Sequence, residues 1–286
     1  MANKVIDLHG ISYAVKEKEI IKNVSFSVED GDTFALIGEN GSGKSTLIDI
    51  ILKDIKPNSG TVSIKGEHNG KILDIGVVYD KLPLFPMLKV SEIINFFSGL
   101  QGKDPTVVEE SGLIEIFGIN PIMDSMIKNL SQGEGQRLSL LLAVLHNPSL
   151  LVLDEAFANL DPLVIERIWP YLKGGHRTVF YTAHNWKIVE KYATKVAFLW
   201  HGALLGEPRT PEGWLSSLPG KRKITISSAN EVPEYGRKPS YEYDGQHIYF
   251  VESEKDINDL NINTHNYSYS NVELVDAYLY NIYAVK

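Results

Sequence analysis

Phe34-Ala35-Leu36-Ile37-Gly38-Glu39-Asn40-Gly41-Ser42-Gly43-Lys44-Ser45-Thr46 decides the fold. Four apolar residues read as a buried strand, a glycine-rich loop follows, and Leu47-Ile48-Asp49-Ile50 opens a helix. Strand, loop and helix in this order make a phosphate cradle. Gly38, Gly41 and Gly43 let backbone N–H groups of Asn40, Ser42 and their neighbours close around an anion, and the helix N-terminus adds partial positive charge. Lys44 reaches the outer phosphates, while Ser45, followed by Thr46, supplies a hydroxyl to Mg²⁺.

Working outward, Leu150-Leu151-Val152-Leu153-Asp154-Glu155 reads as a second buried strand that ends in two acids. Four consecutive apolar residues suit a strand covered on both faces of a parallel sheet. Ligands bind at the carboxyl ends of such strands. Asp154 is therefore the candidate to hold Mg²⁺, and Glu155 the candidate to orient and deprotonate water. A buried strand can also end in a surface acid for no catalytic reason. These two elements, the Walker A and Walker B patterns, leave many ATPase and GTPase families open.

Leu130-Ser131-Gln132-Gly133-Glu134-Gly135-Gln136-Arg137 narrows the choice. Locally it is a helix start: Ser131 as N-cap, Glu134 three residues on to complete a capping box, and Leu138, Leu141, Leu142 and Leu145 as a buried stripe. The same stretch resembles the Leu-Ser-Gly-Gly-Gln signature of ATP-binding-cassette (ABC) ATPases, with Gln132 in place of the first glycine and Glu134 in place of the glutamine. The resemblance covers residues 1 to about 215. It implies a P-loop NTPase core with a mostly parallel sheet, an N-terminal antiparallel β subdomain and a helical signature subdomain over about 81–146. It further implies ATP and Mg²⁺ as cofactors, Ser131 and Gly133 as phosphate contacts made from a second ATP-binding subunit, and Tyr13 as the aromatic that stacks on adenine. His184, in Thr182-Ala183-His184-Asn185, matches the switch histidine, and Ala158-Asn159-Leu160-Asp161-Pro162 the D-loop. Each has a plainer reading: Tyr13 as a core strand residue, Asp161 as an N-cap before Pro162. Asp80 stands where the family has the Q-loop glutamine, and is carried over as a Mg²⁺ ligand. Leu84-Phe85-Pro86-Met87-Leu88-Lys89-Val90-Ser91-Glu92 resembles the exit of that loop, the surface that receives a membrane partner.

The rest of the chain fits this frame. Short β-rich runs fill Lys4 to Gly76, helical periodicity holds from Pro86 to His146, and strand and helix then alternate to Leu199. Composition changes after Leu218-Pro219-Gly220: nine of the 14 tyrosines lie beyond it. Residues 220–286 read as a small αβ appendix to a domain spanning 1–219. Within it, Tyr241 to Tyr249 forms a hairpin around Asp244-Gly245, and Asn271 caps a last helix whose Val272, Val275, Leu279 and Ile282 share a face. Leu274-Val275-Asp276-Ala277-Tyr278-Leu279 is similar to the helix that closes many type-2 exporter ATPases, which implies export.

Charge and composition exclude other classes. Lys plus Arg number 28 against 36 Asp plus Glu, a net −8, which gives no general attraction to nucleic acid. The absence of cysteine removes disulfides, thiolate zinc sites and cysteine nucleophiles. No apolar run approaches the roughly 20 residues of a spanning helix. DNA- or ribosome-acting relatives carry coiled coils, zinc cysteines or a second cassette, and a signalling GTPase carries Asn-Lys-x-Asp; this sequence has neither set. A sensing ATPase stays open beside transport. The expectation is ATP hydrolysis powering a separate membrane permease, from the cytoplasmic side of the cell membrane.

Overall fold

The computed structural model describes residues 3–65, 67–68, 71–72, 74–79, 85–100, 102, 111–227, 239–253, 255–256 and 267–284. The chain divides into two compact units, Met1–Leu204 and Leu205–Lys286.

In the first unit, β1 (Lys4–Val15), β2 (Lys18–Glu29) and β4 (Ser59–Ile64) form an antiparallel sheet of order β2-β1-β4. A six-stranded sheet is built from β3 (Thr33–Ile37), β7 (Ile75–Val78), β8 (Leu150–Leu153), β9 (Thr178–Thr182), β10 (Lys195–Trp200) and β11 (Ala203–Leu204), with the two-residue strands β5 (Glu67–His68) and β6 (Lys71–Ile72) pairing separately. Its order is β11-β10-β3-β9-β8-β7, and every neighbouring pair is parallel except β10 with β11. The mostly parallel core and the antiparallel N-terminal sheet are those expected. Every residue of β3, β8 and β9 is buried, as a strand covered on both faces must be. Phe26 of the antiparallel sheet stacks on Phe34 at 5.0 Å, and Phe34 on Phe180 at 5.6 Å, so the two sheets share one core.

Helix α1 (Lys44–Ile51) follows β3. The helical segment contains α2 (Val90–Leu100), α3 (Leu113–Ile116) and α4 (Gln132–Val144). The expected apolar stripe on α4 is instead burial all round: Leu138, Ser139, Leu140, Leu141 and Leu142 are all covered, because the helix packs against β7, α2 and a further helix, α5 (Pro162–Lys173). Asp161 caps α5, accepting the N–H of Leu163 at 2.8 Å before Pro162, and α6 (Trp186–Tyr192) starts at Asn185.

The second unit holds α7 (Pro211–Leu215), β12 (Arg222–Ser227), β13 (Tyr241–Tyr243), β14 (Gln246–Val251), β15 (Tyr267–Asn271) and α8 (Leu274–Tyr283), with sheet order β13-β14-β12-β15. The hairpin forms as read: Tyr243 pairs with Gln246, and Asp244 and Gly245 both take positive φ. The last helix differs from expectation. Asn271 ends β15, and the N-cap is Glu273, whose N–H donates to Asp276 Oδ2 at 2.7 Å. The buried residues are Leu274, Asp276, Ala277 and Tyr278 rather than Val275 and Leu279. A buried carboxylate turned the face: Asp276 accepts from Lys223 at 2.8 Å and from Tyr241 at 2.7 Å, an arrangement that apolar periodicity does not register.

Candidate functional site

Parallel strands bring their carboxyl ends to one edge, and the candidate residues sit at those ends. Gly38 follows β3, Asp154 follows β8, and His184 lies two residues beyond β9. The loop after β3 needs Gly38 and Gly43 for space. A Cβ on Gly38 would lie 2.2 Å from the Leu199 carbonyl oxygen, and Gly43, at φ 108°, would place one 2.6 Å from Ile21 Cδ1. Gly43 is also the N-cap of α1, and no side chain caps that helix. Asn40, Gly41 and Ser45 are exposed, Thr46 is half-buried, and Ser42 is buried with no hydrogen-bond partner for its hydroxyl.

Lys44 turns back over the loop it follows. The residue is 4 % exposed, and its ammonium donates to the carbonyl oxygens of Gly38 at 2.9 Å and Glu39 at 3.1 Å. Burial pulls its pKa down, and the nearby Glu155 and Asp154 carboxylates oppose that pull. Glu155 Oε1 lies 3.7 Å from Lys44 Nζ and 2.7 Å from His184 Nε2. The loop cation, the acid after β8 and the histidine after β9 thus meet at one carboxylate oxygen.

Asp154 is 5 % exposed; its N–H continues the ladder to Val78, and its Oδ1 accepts a hydrogen bond from Thr182 Oγ1 at 2.7 Å. Glu155 takes φ 51°, in the left-handed region. Asp49, on α1, has its pKa raised by burial first and by Asp54 and Asp154 next, which marks a locally acidic patch beside the phosphate loop. Tyr79 donates to Asp54 at 3.0 Å and is pushed up to about 12 by burial and that carboxylate.

The donor set fits Mg²⁺ rather than a self-sufficient metal centre. Among the described residues no three His, Cys, Asp or Glu side chains cluster as metal ligands. One buried carboxylate and one serine hydroxyl match an ion that takes few protein ligands and completes its shell with phosphate and water. Asp80, carried over as a ligand, lies outside the described residues.

Two other candidates sit elsewhere. Ser131 caps α4 as expected: its N–H and its hydroxyl both donate to Glu134 Oε2 at 2.8 Å, and its Oγ receives the N–H of Glu134 at 3.4 Å. A Cβ on Gly133 would come 2.9 Å from the Asn159 carbonyl oxygen, so this helix start packs on the Ala158–Pro162 loop. Among the described residues no hydrogen bond joins it to the phosphate loop. Tyr13 is half-buried on β1 opposite Ile21, the residue that crowds Gly43. Sequence reasoning gave Thr182 no role; a hydroxyl ending the run Val179-Phe180-Tyr181 was the available signal.

The family model described as ABC transporter matches residues 21–158. Nod factor export ATP-binding protein I of Rhizobium sp. (strain N33) is 30 % identical over 240 residues, covering 80 % of this chain and 79 % of that protein. Ergothioneine transport ATP-binding protein EgtV of Helicobacter pylori (strain G27) is 30 % identical over 203 residues, covering 67 % of this chain and 95 % of that protein. Human ATP-binding cassette sub-family A member 10 is 30 % identical over 202 residues, but the chain spans only 13 % of its length. A solved structure titled "Structure of ATP binding subunit of ABC transporter" aligns with TM-score 0.66 at 24 % identity, over 74 % of this chain and 92 % of that one, and shares the fold. With its cradle, its paired acids and these relatives, the chain belongs to the ABC transporter family, whose ATP-binding cassette it carries.

Proposed function

We propose that this chain binds and hydrolyses ATP and drives a separate membrane permease, in the direction of export. The observation that carries the reading is the meeting of Lys44 and His184 at one oxygen of Glu155, from three elements far apart in sequence. A base needs hydrogen-bond reach to water, and a histidine in contact with it can fix its orientation. In this reading Gly38, Asn40, Gly41, Ser42, Gly43, Lys44, Ser45 and Thr46 hold the phosphates, and Tyr13 stacks on adenine. Ser45 and Asp154 would hold Mg²⁺, with Asp80 as a third ligand. When bound, Mg²⁺ supplies charge neutralisation at the phosphates. Glu155 orients and deprotonates the attacking water, and His184 meets the terminal phosphate.

Ser131 and Gly133 complete a site only in trans. Neither brings a cation, so the partner is a second ATP-binding subunit, paired head to tail so that one two-fold axis closes both sites. Support for a membrane partner comes from Phe85, Met87, Phe96 and Leu100, exposed large apolar residues of which Phe85 and Phe96 pack edge to face at 6.2 Å. Among the described residues no helix is long and apolar enough to cross a membrane. In this reading the permease is a separate chain, and the subunit works peripherally on the cytoplasmic face. The likeness to the Rhizobium protein, named as a Nod factor export ATP-binding protein, supports export. Residues 1–219 form the working part, and 220–286 stabilise or regulate it.

Glu155→Gln tests the reading, because it keeps size and removes the base. We expect ATP binding, hydrolysis slowed at least ~100-fold, and a dimer in size-exclusion chromatography with ATP but not ADP. Hydrolysis at the wild-type rate would overturn the assignment of the base. A monomer at high concentration with ATP, alone and with a co-encoded second ATPase, would overturn the sandwich.

A further inference from the structure

Thr182 ends β9 and is fully buried. Its hydroxyl has two partners, both from the acid pair after β8. It accepts the backbone N–H of Glu155 at 2.8 Å and lies 2.7 Å from Asp154 Oδ1. A carboxylate only accepts, so the hydroxyl proton must go to Asp154 and the lone pair to Glu155. One side chain thereby sets two things. It ties up Oδ1 of Asp154, leaving Oδ2 as the oxygen without such a bond among the described residues. It also holds the backbone of Glu155 at φ 51°, where a non-glycine residue stays only if its surroundings keep it there. The burial is part of the effect: with no water to compete, a hydroxyl bonded to a carboxylate is strong and directional.

We propose that Thr182 is the positioning residue of the nucleotide site, orienting the cation-holding carboxylate and the backbone of the base through one buried hydroxyl. This rests on the assignment of Asp154 and Glu155 given above. Nothing in the local strand demands the hydroxyl. A valine there would suit a wholly buried parallel strand at least as well, and Val179, three residues earlier, is such a residue.

The test uses the full chain as wild type, Thr182→Val and Thr182→Ser. ATP binding is measured calorimetrically in EDTA and in Mg²⁺, and steady-state hydrolysis is followed separately. Thr182→Val should keep the EDTA affinity within about twofold and lose about tenfold of the Mg²⁺-dependent gain, as expected for one charge-assisted hydrogen bond. Its kcat should fall about 10- to 100-fold with KM little changed, and Thr182→Ser should restore both. Where Thr182→Val fails to fold by circular dichroism, Thr182→Cys, of similar size with a weak donor, takes its place in the same comparison. A full Mg²⁺ gain and wild-type kcat without the hydroxyl would overturn the inference, as would a serine variant as impaired as the valine one, which would mean packing alone. A wild-type chain with no Mg²⁺-dependent gain would instead remove the ATPase reading, and this inference with it.

Discussion

The two helix starts given to phosphate, Gly43-Lys44 at α1 and Ser131-Gln132 at α4, are built in opposite ways. At α1 the N-cap is a left-handed glycine, and no side chain occupies the helix end. At α4 the N-cap serine and Glu134 close a capping box, with the carboxylate on both the N–H and the hydroxyl of Ser131. Both ends carry the partial positive charge of a helix N-terminus. The first has no side-chain cap. The second carries its own carboxylate, which hydrogen bonds to the Ser131 N–H first and to its hydroxyl next hold below the usual glutamate range. The two ends thus differ in whether a side chain already serves them. In the head-to-tail pairing proposed above, α1 would offer its uncapped end and α4 its capped one.

The largest expected effect is at the open end. Lys44→Ala removes the one buried cation of the cradle, and turnover should fall by about 10²- to 10³-fold, as when one preorganised transition-state donor is lost. Steady-state ATPase assays check it; wild-type turnover in that variant would dissolve the distinction between the two ends.

A mid-sized effect comes from closing the open end sterically. Gly43→Ala forces a Cβ at φ 108° against Ile21 and the Ile20 carbonyl. Strain of this kind costs about 1–3 kcal/mol. We expect a lower thermal midpoint together with weaker ATP binding, read by calorimetry. Unchanged ATP affinity would mean the loop backbone does not form the cradle.

The smallest effect belongs to the capped end. Glu134→Ala should cost about 1 kcal/mol of stability, the usual scale for a lost cap, and leave ATP binding by the isolated chain unchanged. Its pH dependence has a definite sign. The carboxylate is depressed in the folded state, so its stabilisation is complete above the unfolded value of 4.5 and fades as pH falls through the lower folded value. The gap in melting temperature between wild type and variant should therefore be full near about pH 7 and shrink in acid. A gap that persists unchanged in strong acid would show that the carboxylate is not what caps the helix.

Much of this was legible in the residues themselves. Apolar runs gave β3 and β8 nearly residue for residue, since a strand buried on both faces has few polar positions to blur it. Glycine and serine chemistry gave the cradle, the Ser131 capping box, the Asp161 cap and the Asp-Gly hairpin, because each depends on neighbours a few residues away. Local order along the chain determined that much. Tertiary structure alone decided the rest. It placed Lys44 and His184 on one oxygen of Glu155, put Thr182 between the two acids, and turned the last helix to bury Asp276 rather than Val275. The reason is physical: parallel strands far apart in sequence come together only through the sheet, and a buried polar group chooses its partners there rather than from the residues beside it.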